Sequence, residues 1–210
     1  MEEYRENMGG GMPQYVKWLK ILFWVQIVSA AVGLLSNIPG IDSLGLWLGY
    51  GMEAVLFVVL FQMSAVNRRY RKAAVLTIVS LACLLLNTLL IVNLPIMNFL
   101  GTLVTLAASL CAIIAGYQEY YGHAEMIEPL DRKLAGKWHS LFVWEIVLGL
   151  LGGFASMVTT LVLAFTGGAE IAATVVVLLI NGLSIVIRVI YLVLIGRMIG
   201  LLEKQQQMDL

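Results

Sequence analysis

The chain has 210 residues, 60% of them hydrophobic and 12% charged, with 13 basic and 13 acidic side chains and a net charge of zero. A water-soluble domain carries about a quarter of its residues as charges, so a globule facing water is excluded and lipid is the expected solvent. The charge balance offers no basic face to nucleic acid. Cys83 and Cys111 both lie inside apolar runs, where neither a disulfide framework nor a zinc site is expected.

The opening "MEEYRENMGGGMPQ" carries three Glu and one Arg. It makes a poor signal-peptide n-region, so residues 1–16 read as a cytoplasmic segment leading into an uncleaved anchor. A hydrocarbon core of about 30 Å takes roughly 20 helical residues, and six stretches have that length. The first covers 18–36 and stops at the turn signal "SNIPG". The second covers 44–66 and ends at "NRRYRK". The third, 73–94, meets Pro95, and the fourth, 96–117, follows at once. A polar loop, 118–138, leads to the fifth, 139–165, which ends at "TGGAE". The sixth, 171–195, completes a transmembrane domain spanning 17–202 and runs out into the tail 203–210. The ten-residue alternation of a membrane barrel is absent.

Apart from Arg188, inside the sixth span, Lys and Arg fall on one side of this pattern. Arg5, Lys17 and Lys20 precede the first helix, and Arg68, Arg69, Arg71 and Lys72 join the second to the third. Arg132, Lys133 and Lys137 sit between the fourth and fifth, and Arg197 and Lys204 follow the sixth. The opposite connections contain neither residue, so both termini are expected in the cytoplasm. The expected fold is all-α: a polytopic membrane protein of six transmembrane helices, arranged as three consecutive hairpins in one bundle. A cell membrane, in particular a bacterial inner membrane, is the expected location, with the lipid bilayer as its partner.

"KWLKILFWVQIV" from Lys17 resembles "KWHSLFVWEIVL" from Lys137 at an offset of 120 residues. Recurrence of Lys and Trp at a membrane interface explains this better than duplication of a hairpin. Helix four repeats small residues at Ala108, Ala112 and Gly116, as helix five does at Gly149 and Gly153 and helix two at Gly45 and Gly49. Such stripes let helices approach closely in lipid, and they suggest that helix four is central.

Ionisable and amide groups inside the spans carry whatever chemistry there is. Arg188 lies roughly 10 Å inside the cytoplasmic end of helix six, and Glu145 roughly 9 Å inside that of helix five. Their matched depth on one hairpin predicts an ion pair facing the bundle. Gln26 and Gln62 stand at comparable depth in the first hairpin and predict a neutral polar pair. Glu53, Asn87 and Asn181 share a deeper level, one from each hairpin, with Thr105 nearby; together they are the candidate substrate or ion path.

In the loop, Pro129 suits the first turn of a short helix, after which Leu130, Leu134 and Trp138 recur at i, i+4. This predicts an amphipathic piece lying at the interface, with Trp138 as anchor. His123, Glu125, Glu128 and Asp131 do not match a tight ligand pattern, so no metal site is expected there. Arg68, Arg69, Arg71 and Lys72 form a candidate contact for anionic lipid.

No phosphate-binding loop, His-Glu-x-x-His or Gly-x-Ser-x-Gly is present. The Pro-x-Asp/Glu-x-x-Lys/Arg signature of mitochondrial carriers is missing too, since "PLDRKL" has Leu134 at the basic position. The expectation is therefore not an enzyme and no cofactor. Transport or permeation of a small solute or ion is the leading reading. The alternative is a non-transporting scaffold or accessory subunit that binds a partner protein, or a homo-oligomer.

Overall fold

The computed structural model describes residues 12–35, 40–91, 98–166 and 170–208, the side chains at 42, 90–91, 98, 156–157, 159–166 and 170–181 excepted. Among the described residues every regular element is helical. Helix α1 is Met12–Leu35, α2 Asp42–Met63, α3 Arg68–Leu86, α4 Asn98–Ile127, α5 Arg132–Thr166 and α6 Glu170–Met208; α3 runs on into a π-helical turn, Asn87–Ile91. Six helices are long and apolar enough to cross a membrane. The all-α, multi-pass architecture expected from the sequence is thus the observed one. The expected boundary between the third and fourth helices, at 94–96, lies outside the described residues.

Each helix packs against its neighbours in sequence, and α6 returns to α1. The three hairpins therefore close into a ring. α4 is a member of that ring, packed between α3 and α5, and is not its axis. Its small residues still serve close approach: Ala108 is buried, and Ser80 of α3 donates a hydrogen bond to its carbonyl at 3.0 Å.

Polarity is distributed inside out. Trp24, Val58, Phe61, Leu106, Trp144, Leu150, Phe154 and Val189 are exposed on the outside of the ring, as expected where the surrounding solvent is hydrocarbon. The buried side chains concentrate at the end of the bundle where α1 begins and α6 ends, the termini end. There Tyr15, Leu19, Leu60, Met63, Tyr70, Ile127, Trp138, Ile195, Met198 and Leu202 are fully enclosed.

The largest departure from the sequence reading falls in residues 118–138. These are not a loop. α4 continues to Ile127 and α5 begins at Arg132, leaving only a turn at 128–131. Tyr120, Ala124 and Ile127 on one side of the turn, and Leu134, Ala135, Trp138 and Leu141 on the other, are buried stripes at helical spacing. The polar residues between them simply face outward. Pro129, lacking a backbone N–H, marks the break, and Asp131 caps the new helix by accepting the Leu134 N–H at 2.9 Å. Trp138 is correspondingly a core residue with no exposure rather than an interfacial anchor. The tail expected at 203–210 is also helical, to Met208. With 30, 35 and 39 residues, α4, α5 and α6 are about 45 to 58 Å long. Their termini-side turns thus outreach a hydrocarbon core of about 30 Å.

The α2–α3 turn is clamped to α4. Asn67 caps α3 by accepting the Arg69 N–H at 2.8 Å and gives its amide to Glu125 at 3.1 Å. Arg69 meets Glu125 at 2.6 Å and Gln118 at 3.2 Å, with its guanidinium near the rings of Tyr117 and Tyr121. Arg69 is therefore committed inside the protein, which removes it from the candidate lipid contact; Arg68, Arg71 and Lys72 remain exposed. Across the ring closure, Lys20 of α1 and Glu203 of α6 pair at 2.5 Å.

Candidate functional site

Inside the ring lies a cavity of about 510 Å³ to which all six helices contribute. α1 supplies Gln26 and Ser29. α2 supplies Tyr50 and Glu53, and α3 supplies Thr77 and Ser80 at one-turn spacing. Glu119 and Tyr120 come from α4, Glu145 from α5, and Arg188 and Tyr191 from α6. Three carboxylates and one guanidinium thus line one chamber in a shell whose outer surface is apolar. Ionisable groups are expensive at this depth unless they face a cavity or one another, and this arrangement meets both conditions. It also answers why Arg188 interrupts an otherwise apolar run.

The three carboxylates differ in their partners. Glu119 is buried, accepts a hydrogen bond from the Tyr191 hydroxyl and has its Oε1 3.7 Å from His123 Nε2. Glu145 accepts a hydrogen bond from Tyr120 and feels the positive charge of Arg188. Glu53 faces the chamber, feels both Glu119 and Arg188, and has no hydrogen-bonding side chain among the described residues. The lining reaches Gly33, Gly45 and Leu46, beside the α1–α2 connection at the end away from the termini. In that connection Gly40 holds φ +90°, a conformation that side-chain-bearing residues rarely adopt.

At the termini end the chamber is sealed by a buried aromatic layer. Tyr15 and Tyr70 share a hydrogen bond of 2.7 Å, and Tyr70 and His123 Nδ1 share one of 2.8 Å. Trp138 stacks on His123 at 4.6 Å between centroids and meets Tyr191 and Tyr120 at 5.3 and 5.8 Å. Tyr70 lies so close to α4 that a Cβ on Gly122 would sit 3.0 Å from its Cε1 and 3.1 Å from its Cζ. Gly122→Ala should therefore lower stability by about 1 to 3 kcal/mol through overpacking. Gly136→Ala, with open space around it, should be neutral or stabilising by up to about 1 kcal/mol. Thermal unfolding in detergent distinguishes the two; equal midpoints would mean that Tyr70 yields freely.

The residues expected from the sequence divide as follows. Glu145 and Arg188 share the cavity and interact electrostatically across it, but the expected ion pair is not among those formed by the described residues. Gln26 lines the cavity, but Gln62 is exposed and stands outside the lining, so no amide pair is assembled there. Glu53 and Gln62 are nine residues apart on one helix, hence about half a turn apart in direction. Glu53 faces the cavity while Asn87 and Thr105 do not. Instead Asn87 donates to Thr105 at 3.1 Å, and Thr88 next to it bonds Tyr50 at 2.7 Å. The side chain of Asn181 lies outside the described residues. His123, Glu125 and Asp131 turn to three different tasks: the aromatic layer, the Arg69 clamp and the α5 cap. Glu119, Tyr120 and Tyr191 were missed. One sequence signal pointed to Glu119, because the stripe Ala108, Ala112, Ala115 continues at helical spacing into Glu119 and His123.

Fold and cavity together define a multi-pass membrane protein built as a six-helix ring around a charged chamber. Comparison with known protein families, with characterised proteins and with solved structures finds no match to this chain.

Proposed function

We propose that the protein is a membrane transporter for a small cation, that the chamber is its binding site, and that Glu53 is the carboxylate in contact with the solute. The observation carrying this reading is Glu53 itself. It faces a cavity and has no hydrogen-bonding side chain among the described residues, while the other two carboxylates are engaged by tyrosines. Three carboxyl groups against one guanidinium favour a cation over an anion in the chamber, which Tyr50, Tyr120 and Tyr191 also line. The volume falls within the roughly 300–1,000 Å³ of small-molecule sites.

With the termini in the cytoplasm, as the Lys and Arg distribution favours, the chamber faces outward and the aromatic layer closes the cytoplasmic side. Arg68, Arg71 and Lys72 then lie on that cytoplasmic side, placed to meet anionic headgroups. The test uses proteoliposomes and labelled tetraethylammonium, a permanent cation that does not cross lipid unaided. Saturable uptake is expected, reduced at least about tenfold by Glu53→Gln, equivalent to about 1.4 kcal/mol of lost interaction. Uptake that survives this change undiminished would remove Glu53 from the mechanism.

A further inference from the structure

We propose that Glu119 and His123 form a proton-binding site, joined through Tyr70 and Tyr15 to the termini end of the bundle, and that it couples transport to proton movement. The coupling rests on the transport reading above; the proton site itself does not.

The geometry is a line of exchangeable groups running from the chamber into the seal. Glu119 opens into the chamber. His123 is fully buried, its Nδ1 bonded to Tyr70 and its Nε2 without a hydrogen-bond partner, pointing at Glu119 Oε1 from 3.7 Å. Leaving a buried ring nitrogen unbonded costs about 1 to 3 kcal/mol. A movement of about an ångström brings the pair to hydrogen-bond distance. Tyr70 in turn meets Tyr15, in the first turn of α1. Imidazole is suited to this position because it accepts at one nitrogen while donating from the other.

Transfer balances as follows. Glu119 gives its proton to His123 Nε2 and becomes a carboxylate. The proton on Nδ1 passes to the Tyr70 oxygen as the Tyr70 hydroxyl gives its own to the Tyr15 oxygen. Tyr15, itself fully buried, ends the line and gives its proton to a water admitted at the start of α1; rotation of the hydroxyls and a half-turn of the imidazole ring reset the line. The groups that bear on the charge of Glu119 come from every helix: Tyr15, Glu53, Tyr70, Tyr120 with His123, Glu145, and Tyr191. Glu53 shares the chamber with Glu119 and interacts with it electrostatically, so a cation at Glu53 and a proton at Glu119 compete. That is the required coupling between solute and proton.

The experiment has two arms. In proteoliposomes containing pyranine, with the potential clamped by potassium and valinomycin, a tetraethylammonium gradient should change the internal pH. His123→Gln and Tyr70→Phe should reduce that change about a hundredfold while labelled and unlabelled tetraethylammonium still exchange. Undiminished proton movement in both variants overturns the relay. In detergent, without solute, the emission of Trp138 should fall reversibly on acidification, because an imidazolium stacked on an indole quenches it. Trp138→Phe identifies the emitter, and His123→Gln should abolish the response. A response that persists in His123→Gln, or none in the parent protein, overturns the proton site. If tetraethylammonium does not move but the quench depends on His123, the transport reading falls and the proton site stands.

Discussion

Trp138→Ala is expected to lower stability by about 3 to 5 kcal/mol. Trp138 has no exposure and packs against His123, Tyr120 and Tyr191, so truncation leaves a void where α4, α5 and α6 converge. Its indole nitrogen has no hydrogen-bond partner, which makes the loss one of packing alone. Trp138→Phe should therefore recover most of it. The comparison also separates two placements of the residue. A tryptophan lying at headgroup level would lose little on truncation, and Trp24 and Trp144, both exposed, serve as controls for that case. Thermal denaturation in detergent reads all four variants; a Trp138→Ala midpoint equal to that of Trp24→Ala would place Trp138 outside the core.

Arg188→Leu is expected to tighten tetraethylammonium binding by about thirtyfold. A unit charge some 8 Å away, at an effective dielectric constant of about 20, is worth about 2 kcal/mol, and Arg188 places its charge on the wall of the chamber where a cation would lie. The direction is what matters. Removing a carboxylate and removing the guanidinium must act oppositely if the solute is a cation, and equilibrium binding of labelled tetraethylammonium reads both. Weaker tetraethylammonium binding in Arg188→Leu would mean that Arg188 supports the site and does not oppose a cation in it. The same variant probes the interaction with Glu145. Its loss of stability should shrink when Glu145→Leu accompanies it, whereas additive losses would mean that the two groups act independently.

Six spans were legible because hydrocarbon demands a minimum length of apolar helix, and that length survives in every segment. Polarity proved a poor guide to where helices end. Residues 118–138 read as a loop from their charges, yet Tyr120, Ala124, Leu134 and Trp138 continue an apolar stripe through them, and in helices that outreach the bilayer the polar residues merely mark the outer face. The candidate site was found by depth and missed by direction. Glu53, Asn87 and Thr105 do stand near one level, but Asn87 turns to α4 while Glu53 turns to the chamber. Gln62 fails for the same reason against Gln26. Direction could be assigned only after the neighbours of each helix were known, and closure of α6 on α1, the contact most distant in sequence, leaves no periodic signal in either segment.

That closure fixes an order of assembly. Ribosomes deliver the amino-terminal helices first, so Glu53, Glu119 and Glu145 enter the membrane on α2, α4 and α5 before α6 brings Arg188 and Tyr191. Until the last helix arrives, a nascent five-helix intermediate holds three acids without their guanidinium and has a gap between α1 and α5 open to lipid. The chamber of this protein thus comes into being only with its last helix.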